Sequence, residues 1–230
     1  MKKQLTRVAA AASAIAVCAS LGLSFQYADK GNNKGDEKVE EVMEEAPKVA
    51  KIGKRAPNFK LMNLGNEEVI LEKLAKDKIV VLEWFNPECP FVVYAYKEGP
   101  MLKTARKARE KGIVWLAVNS GAPGQQGTGR EKNKKYHDEW DMPQPILFDE
   151  EGAVGQMYEA RTTPQIVIID KDMKVVYMGA LDNAPRGKVP EGENYKNYAW
   201  MALENLMAGE KVEVAKTRPY GCSVKYAKPD

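Results

Sequence analysis

Short apolar blocks separated by longer, mixed segments run through the chain from about residue 52 onward. The densest is IVVLEWF (79–85), where β-branched and apolar residues predict a buried strand that stops at Asn86-Pro87. IVWLAVN (113–119) and QIVIID (165–170) have the same character. Weaker blocks predict strands at 59–62, 145–148 and 175–178, the last following a KDMK hairpin turn. Between the strands the pattern predicts a short helix at 71–76, a longer one at 91–111 interrupted at Gly99-Pro100, and helices at 131–140, 153–159 and 195–207. A proline inside such a pattern kinks or ends the helix, because it lacks an N–H and crowds the turn before it. Segment 182–192 reads as a polar connection. Segment 120–130 reads as a flexible loop whose glycines lack the spacing of a phosphate cradle. Strands alternating with helices, then closing on a hairpin and a helix, predict an α/β fold with a sheet covered on both faces.

The first residues follow a different plan. Lys2, Lys3 and Arg7 precede an uncharged small-and-apolar run from Val8 to Phe25, the layout of a secretory signal peptide. Residues 1–28 are therefore expected to act as a signal, 29–51 as an acidic flexible linker, and 52–230 as the folded domain with a cysteine-containing tail. The expected location is the periplasm or another exported compartment. An uncleaved N-terminus, or a lipidated Cys18, would instead leave a membrane tether, but Val17 is bulky for the position before a lipidated cysteine. A net charge of +3, from 35 basic and 32 acidic residues with no basic stripe, gives no reason to expect nucleic acid. Export matters for the cysteines. With Cys18 removed, Cys89 and Cys222 remain, in a compartment that permits disulfides.

Cys89 follows the densest strand, and Pro90 then opens a helix, a position where a missing N–H costs nothing. A cysteine at a helix N-terminus meets unpaired N–H groups and the positive end of the helix dipole, which favour the nucleophilic thiolate. The competing reading is a small buried hydrophobe. Glu83 lies on the strand six positions before Cys89; if buried, its carboxyl group has a raised pKa and can accept and return a thiol proton, and if at a strand edge it is merely solvated. Thr163-Pro164 precedes QIVIID and is either a cis bond or an ordinary strand-opening proline. Cys222, after Gly221 in an extended tail, is either a resolving thiol for Cys89 or half of a permanent disulfide. His137, the one histidine, sits in charged KKYHDEW and reads as a surface residue, which leaves too few ligands for a transition metal. Asp170, Asp172 and Asp182 read as turn residues. No cofactor is implied.

Together these residues resemble the thioredoxin-like superfamily, and more narrowly the peroxiredoxin-like redoxins of the alkyl hydroperoxide reductase/thiol-specific antioxidant type. The motifs that carry the likeness are CPFV at 89–92, VNS at 118–120, Thr163-Pro164, and GCSVK at 221–225. The resemblance implies a thioredoxin-like fold with a central mixed sheet and helices on both faces. It implies an exported thiol–disulfide oxidoreductase with Cys89 as nucleophile, Cys222 as resolving thiol and Glu83 handling the proton. Thr163 and Pro164 would present a backbone edge to substrate, with Asn86, Pro90 and Phe91 lining the approach. The implied partners are protein thiols or disulfides, or a small peroxide, with an external thiol reductant. The chain departs from the pattern in three places. Val92 stands where thioredoxins keep a second cysteine, Asn86 and Leu82 replace the hydroxyl residue and proline of true peroxiredoxins, and Thr162 replaces a cysteine found in relatives. These departures place disulfide exchange ahead of peroxide reduction, and they also allow a non-catalytic redoxin-fold binding module.

Overall fold

The computed structural model describes residues 48–228. Packing begins at Ala50, which is buried and whose N–H donates to the Met157 carbonyl (2.8 Å). The predicted signal peptide, Cys18 and most of the linker lie outside the described residues. Among those described, no helix is long and apolar enough to cross a membrane.

In chain order the strands are β1 (Lys60–Asn63), β2 (Glu68–Ile70), β3 (Val80–Trp84), β4 (Val114–Asn119), β5 (Ile146–Phe148), β6 (Thr162–Thr163), β7 (Gln165–Ile169), β8 (Val175–Gly179) and β9 (Cys222–Ser223). The helices are α1 (Leu71–Leu74), α2 (Pro90–Lys97), α3 (Met101–Glu110), α4 (Arg130–Glu139), α5 (Ala153–Met157) and α6 (Tyr198–Met207). Seven strands form one sheet in the order β2-β1-β5-β4-β3-β7-β8, and β6 and β9 form a separate ribbon. β3 pairs parallel with β4 and antiparallel with β7, so the sheet is mixed.

The near-continuous apolar runs of β3, β4 and β7 arise because both faces of these strands are covered. Side chains alternate with the two-residue period of a strand. Val81, Phe85, Trp115, Ala117, Ile166 and Ile168 face the layer built from α2, α3 and α6. Val80, Leu82, Trp84, Leu116, Val118, Val167 and Ile169 face the opposite layer, with Leu71 of α1 and Val154 of α5. The predicted interruption at Gly99-Pro100 separates α2 from α3: the N–H groups of Glu98 and Gly99 both close on the Tyr94 carbonyl before Pro100 restarts the turn. α6 begins later than the pattern predicts, because the Asn197 side chain caps it by accepting from the Trp200 N–H (2.9 Å) and donates to Thr104 Oγ1 on α3 (2.9 Å).

Three short strands escape the pattern. β2 is a three-residue edge strand, and the β6–β9 ribbon pairs two-residue segments far apart in the chain. None is long enough to show a period. The segment from Asp182 is also less polar in its surroundings than its composition predicts: Asp182, Asn183 and Ala184 are all buried.

Candidate active site at the start of helix α2

β3 ends against a turn in which the Asn86 carbonyl accepts from the Cys89 N–H (3.1 Å), and Cys89 becomes the N-cap of α2 with Pro90 in its first turn. The sequence expectation for this junction holds in outline but not in detail. The Cys89 side chain makes no capping hydrogen bond to α2. Its Sγ donates instead to the Thr163 carbonyl (3.0 Å), just before Pro164, and the Thr163-Pro164 bond is cis. Cys89 is fully buried, as the competing reading expects, with the tail ribbon beside it.

β9 pairs antiparallel with β6, setting Cys222 opposite Thr163 and Ser223 opposite Thr162. Both cysteines are free thiols, and the ribbon sets Cys222 opposite the residue whose carbonyl accepts from Cys89, so the two are neighbours. Cys222 is pushed up to about 11, first by burial and then by the neighbouring Cys89, while Lys225 pulls the other way. Burial thus favours the protonated form of Cys222. Gly221 makes the approach possible. Its φ is +134°, and a Cβ there would overlap the Thr163 carbonyl. The tail is tied on both sides: the Val224 N–H donates to Arg161 O (3.0 Å) and the Ala122 N–H to Lys225 O (2.8 Å), while Tyr220 Oη donates to Asp182 Oδ1 (2.6 Å).

Glu83 is buried on the α2 side of β3, as one of the two readings expected. Trp115 Nε1 donates to its Oε2 (2.9 Å), Tyr96 Oη lies 2.8 and 2.9 Å from its two oxygens, and Gln144 Nε2 lies 3.3 Å from Oε2. Burial raises its pKa to about 7, and the three hydrogen bonds, led by Trp115, moderate the rise. Among the described residues no hydrogen bond joins Glu83 to Cys89, so the structure brings the carboxyl group to the same layer but not into contact.

Asn86 is buried and structural. Its Oδ1 accepts from the Glu88 N–H (2.9 Å) and its Nδ2 donates to Gln126 O (3.1 Å). The glycine-rich loop is fixed at Gly127, whose carbonyl accepts from Asn119 Nδ2 (2.9 Å) and whose N–H donates to Glu88 Oε2 (2.7 Å). Ser120 Oγ bridges Trp84 Nε1 (3.1 Å) and Asp149 Oδ2 (2.6 Å). The VNS motif therefore holds the loop against the segment leading to Cys89. Gly127→Ala is expected to destabilise the protein by about 2 kcal/mol or more, since φ is +78° and a Cβ would overlap the Asn86 side chain. The urea midpoint checks it.

Pro90 is exposed, while Phe91 is half-buried with its ring centroid 6.0 Å from that of Tyr220. His137 is paired with its neighbour Asp138 (3.5 Å). Asp170 is a turn residue as expected, accepting from the N–H groups of Asp172 (3.0 Å) and Lys174 (2.8 Å). Asp182 is not merely one. Buried, it accepts from Tyr220, from Tyr195 Oη (3.3 Å) and from the Ala184 N–H (2.9 Å), and burial raises its pKa. Asp182 and Tyr220 were not legible as site residues; the only signal was a glycine between an aromatic residue and a cysteine, which marks a close approach without naming its partner.

The comparisons agree with this architecture. An uncharacterized conserved protein of Geobacillus kaustophilus is similar at 31% identity and a TM-score of 0.70, over 79% of this chain and 95% of that one. A candidate thioredoxin of Neisseria meningitidis shares the fold at 21% identity and a TM-score of 0.51, over 69% of this chain and 93% of that one. Thiol-disulfide oxidoreductase ResA of Bacillus cereus is 29% identical over 126 residues, 54% of this chain and 67% of ResA. The fold is thioredoxin-like, and the AhpC/TSA family profile matches residues 52–178; the chain belongs to the AhpC/TSA family.

Proposed function

We propose that Cys89 and Cys222 are the working dithiol of an exported thiol–disulfide oxidoreductase. Oxidoreductase chemistry follows from the family and from the likeness to ResA. The observation that supports the finer reading is the pair of free thiols brought together at the start of α2, Cys89 bonded to the Thr163 carbonyl and Cys222 opposite Thr163 in the ribbon. In this reading the Cys89 thiolate attacks one sulfur of a partner protein's disulfide. A mixed disulfide forms, the partner's S–S bond breaks, and its other sulfur leaves as a thiolate that takes up a proton. The tail must swing aside for this step, because Cys89 is buried beneath it.

In the mixed disulfide Cys89 can carry no thiolate charge, so one of the causes that hold the Cys222 pKa up is gone. Cys222 then loses its proton more readily and attacks the Cys89 sulfur. The partner's thiol leaves, Cys89–Cys222 closes, and an external thiol reductant returns the pair to the dithiol. Glu83, titrating near neutrality, is the proton exchanger of this scheme. Thr163 and Pro164 form the substrate-facing edge once the tail moves, with Pro90 and Phe91 beside it. Asn86 serves by shaping the turn. Peroxide reduction is the weaker reading, because the Asn86 side chain is committed to Glu88 and Gln126.

Reduced protein treated with a small aromatic disulfide is expected to release both halves of the reagent and to yield a Cys89–Cys222 cross-link on peptide mapping. A stable adduct on Cys89 beside a free Cys222 would overturn the resolving role.

A further inference from the structure

The polar connection after β8 holds a buried carboxylate whose strongest contact reaches the cysteine-bearing tail. Asp182 is 2% exposed, yet it makes no ion pair among those found for the described residues; its acceptors face Tyr220 Oη (2.6 Å), Tyr195 Oη (3.3 Å) and the Ala184 N–H (2.9 Å). Tyr220 stands two residues before Cys222, and its ring lies against Phe91, two residues after Cys89. Upstream, the tail is tied by the Thr217 hydroxyl, which contacts Tyr177 Oη (2.7 Å) and accepts from the Ala180 N–H (2.9 Å). Downstream it is tied by Val224 and Lys225. Between those ties, the Tyr220–Asp182 bond is the side-chain hydrogen bond found nearest to Cys222 on its upstream side.

We propose that Asp182 and Tyr220 are positioning residues that hold the tail over the start of α2 and so set the effective concentration of Cys222 at Cys89. The inference rests on the dithiol reading above. Without the hydroxyl anchor, the tail samples positions in which Cys222 no longer faces Cys89, and closing the disulfide then costs ordering entropy that the native tail has already lost. A hydrogen bond to a charged acceptor is strong enough to matter on this scale. The cross-link itself is two-electron chemistry. A small-molecule disulfide oxidises the pair to Cys89–Cys222, and two molecules of its thiol are released with the protons of the two cysteines.

The test is equilibration of the full chain in a glutathione redox buffer, followed by acid quench, alkylation and mass measurement of the Cys89–Cys222 form. Tyr220→Phe, which keeps the ring against Phe91, is expected to lower the effective concentration of the pair by about tenfold or more. Asp182→Asn keeps an acceptor for the Tyr220 hydroxyl and should show only a small part of that loss. Tyr195→Phe removes the other hydroxyl from Asp182 without touching the tail and should leave the equilibrium within about twofold of wild type. An unchanged equilibrium in Tyr220→Phe would overturn the proposal, and so would an equal loss in Tyr195→Phe, since the carboxylate would then act on the fold at large. If the wild-type chain itself forms no Cys89–Cys222 cross-link in the buffer, the dithiol reading has failed instead.

Discussion

Cys89→Ser is expected to lower disulfide-exchange turnover by about a thousandfold or more while the fold stays in place. The Cys89 Sγ–H donates to the Thr163 carbonyl in a fully buried setting, and a serine hydroxyl can make the same bond without leaving a polar atom unpaired. What serine cannot supply is a thiolate, the form that attacks a disulfide sulfur. Cys222→Ser should behave differently. The first attack survives, the mixed disulfide on Cys89 accumulates, and turnover continues only at the pace at which an external thiol clears it. The measurements are steady-state reduction of a peptide disulfide, intact mass after a single turnover, and a urea midpoint for each variant. Turnover in Cys89→Ser within about tenfold of wild type would remove this sulfur from the mechanism.

Glu83→Gln is expected to flatten the dependence of stability on pH. The folded-state pKa, about 7, lies above the ordinary 4.5 because burial disfavours the charged carboxylate. The folded state therefore holds the proton more tightly than the unfolded one. The associated stability is fully present below about pH 4.5 and is lost as pH rises through 7. The full loss amounts to about 3 kcal/mol at alkaline pH. Glutamine stays neutral throughout and can still accept from Trp115 Nε1, so the variant should gain on wild type as pH is raised from about 5 to about 9 in urea titrations. If Glu83 also exchanges the thiol proton, the wild-type rate carries a limb near pH 7 that the variant lacks. A limb that persists in Glu83→Gln would leave the carboxyl group with a stability role alone.

The central sheet was legible because its strands are buried on both faces and write themselves as unbroken apolar runs; β3, β4 and β7 lie within a residue or two of their predicted bounds. Cys89, Pro90 and Thr163-Pro164 were legible because strand, cysteine and prolines each carry a local backbone consequence. The covering of Cys89 was not. It depends on β6–β9, two residues on each side, whose pairing is decided by a long-range backbone approach at Gly221 that no period announces. The burial of Asp182 escapes the sequence for a related reason. An aspartate near a chain reversal has the composition of a turn, and only the tertiary position of Tyr220 reveals that its carboxylate is enclosed. Glu83 is the easier carboxyl group, since its apolar strand neighbours point toward burial, although only the structure rules out a solvated strand edge.

The order of elements has a consequence for biogenesis. Every strand of the large sheet precedes the tail in the chain, and Cys222 arrives after all of them. A polypeptide emerging from its N-terminus therefore presents Cys89 before the ribbon that faces it exists. During that interval the newborn thiol is open to cross-linking with any oxidised neighbour, and arrival of the last ribbon ends the exposure.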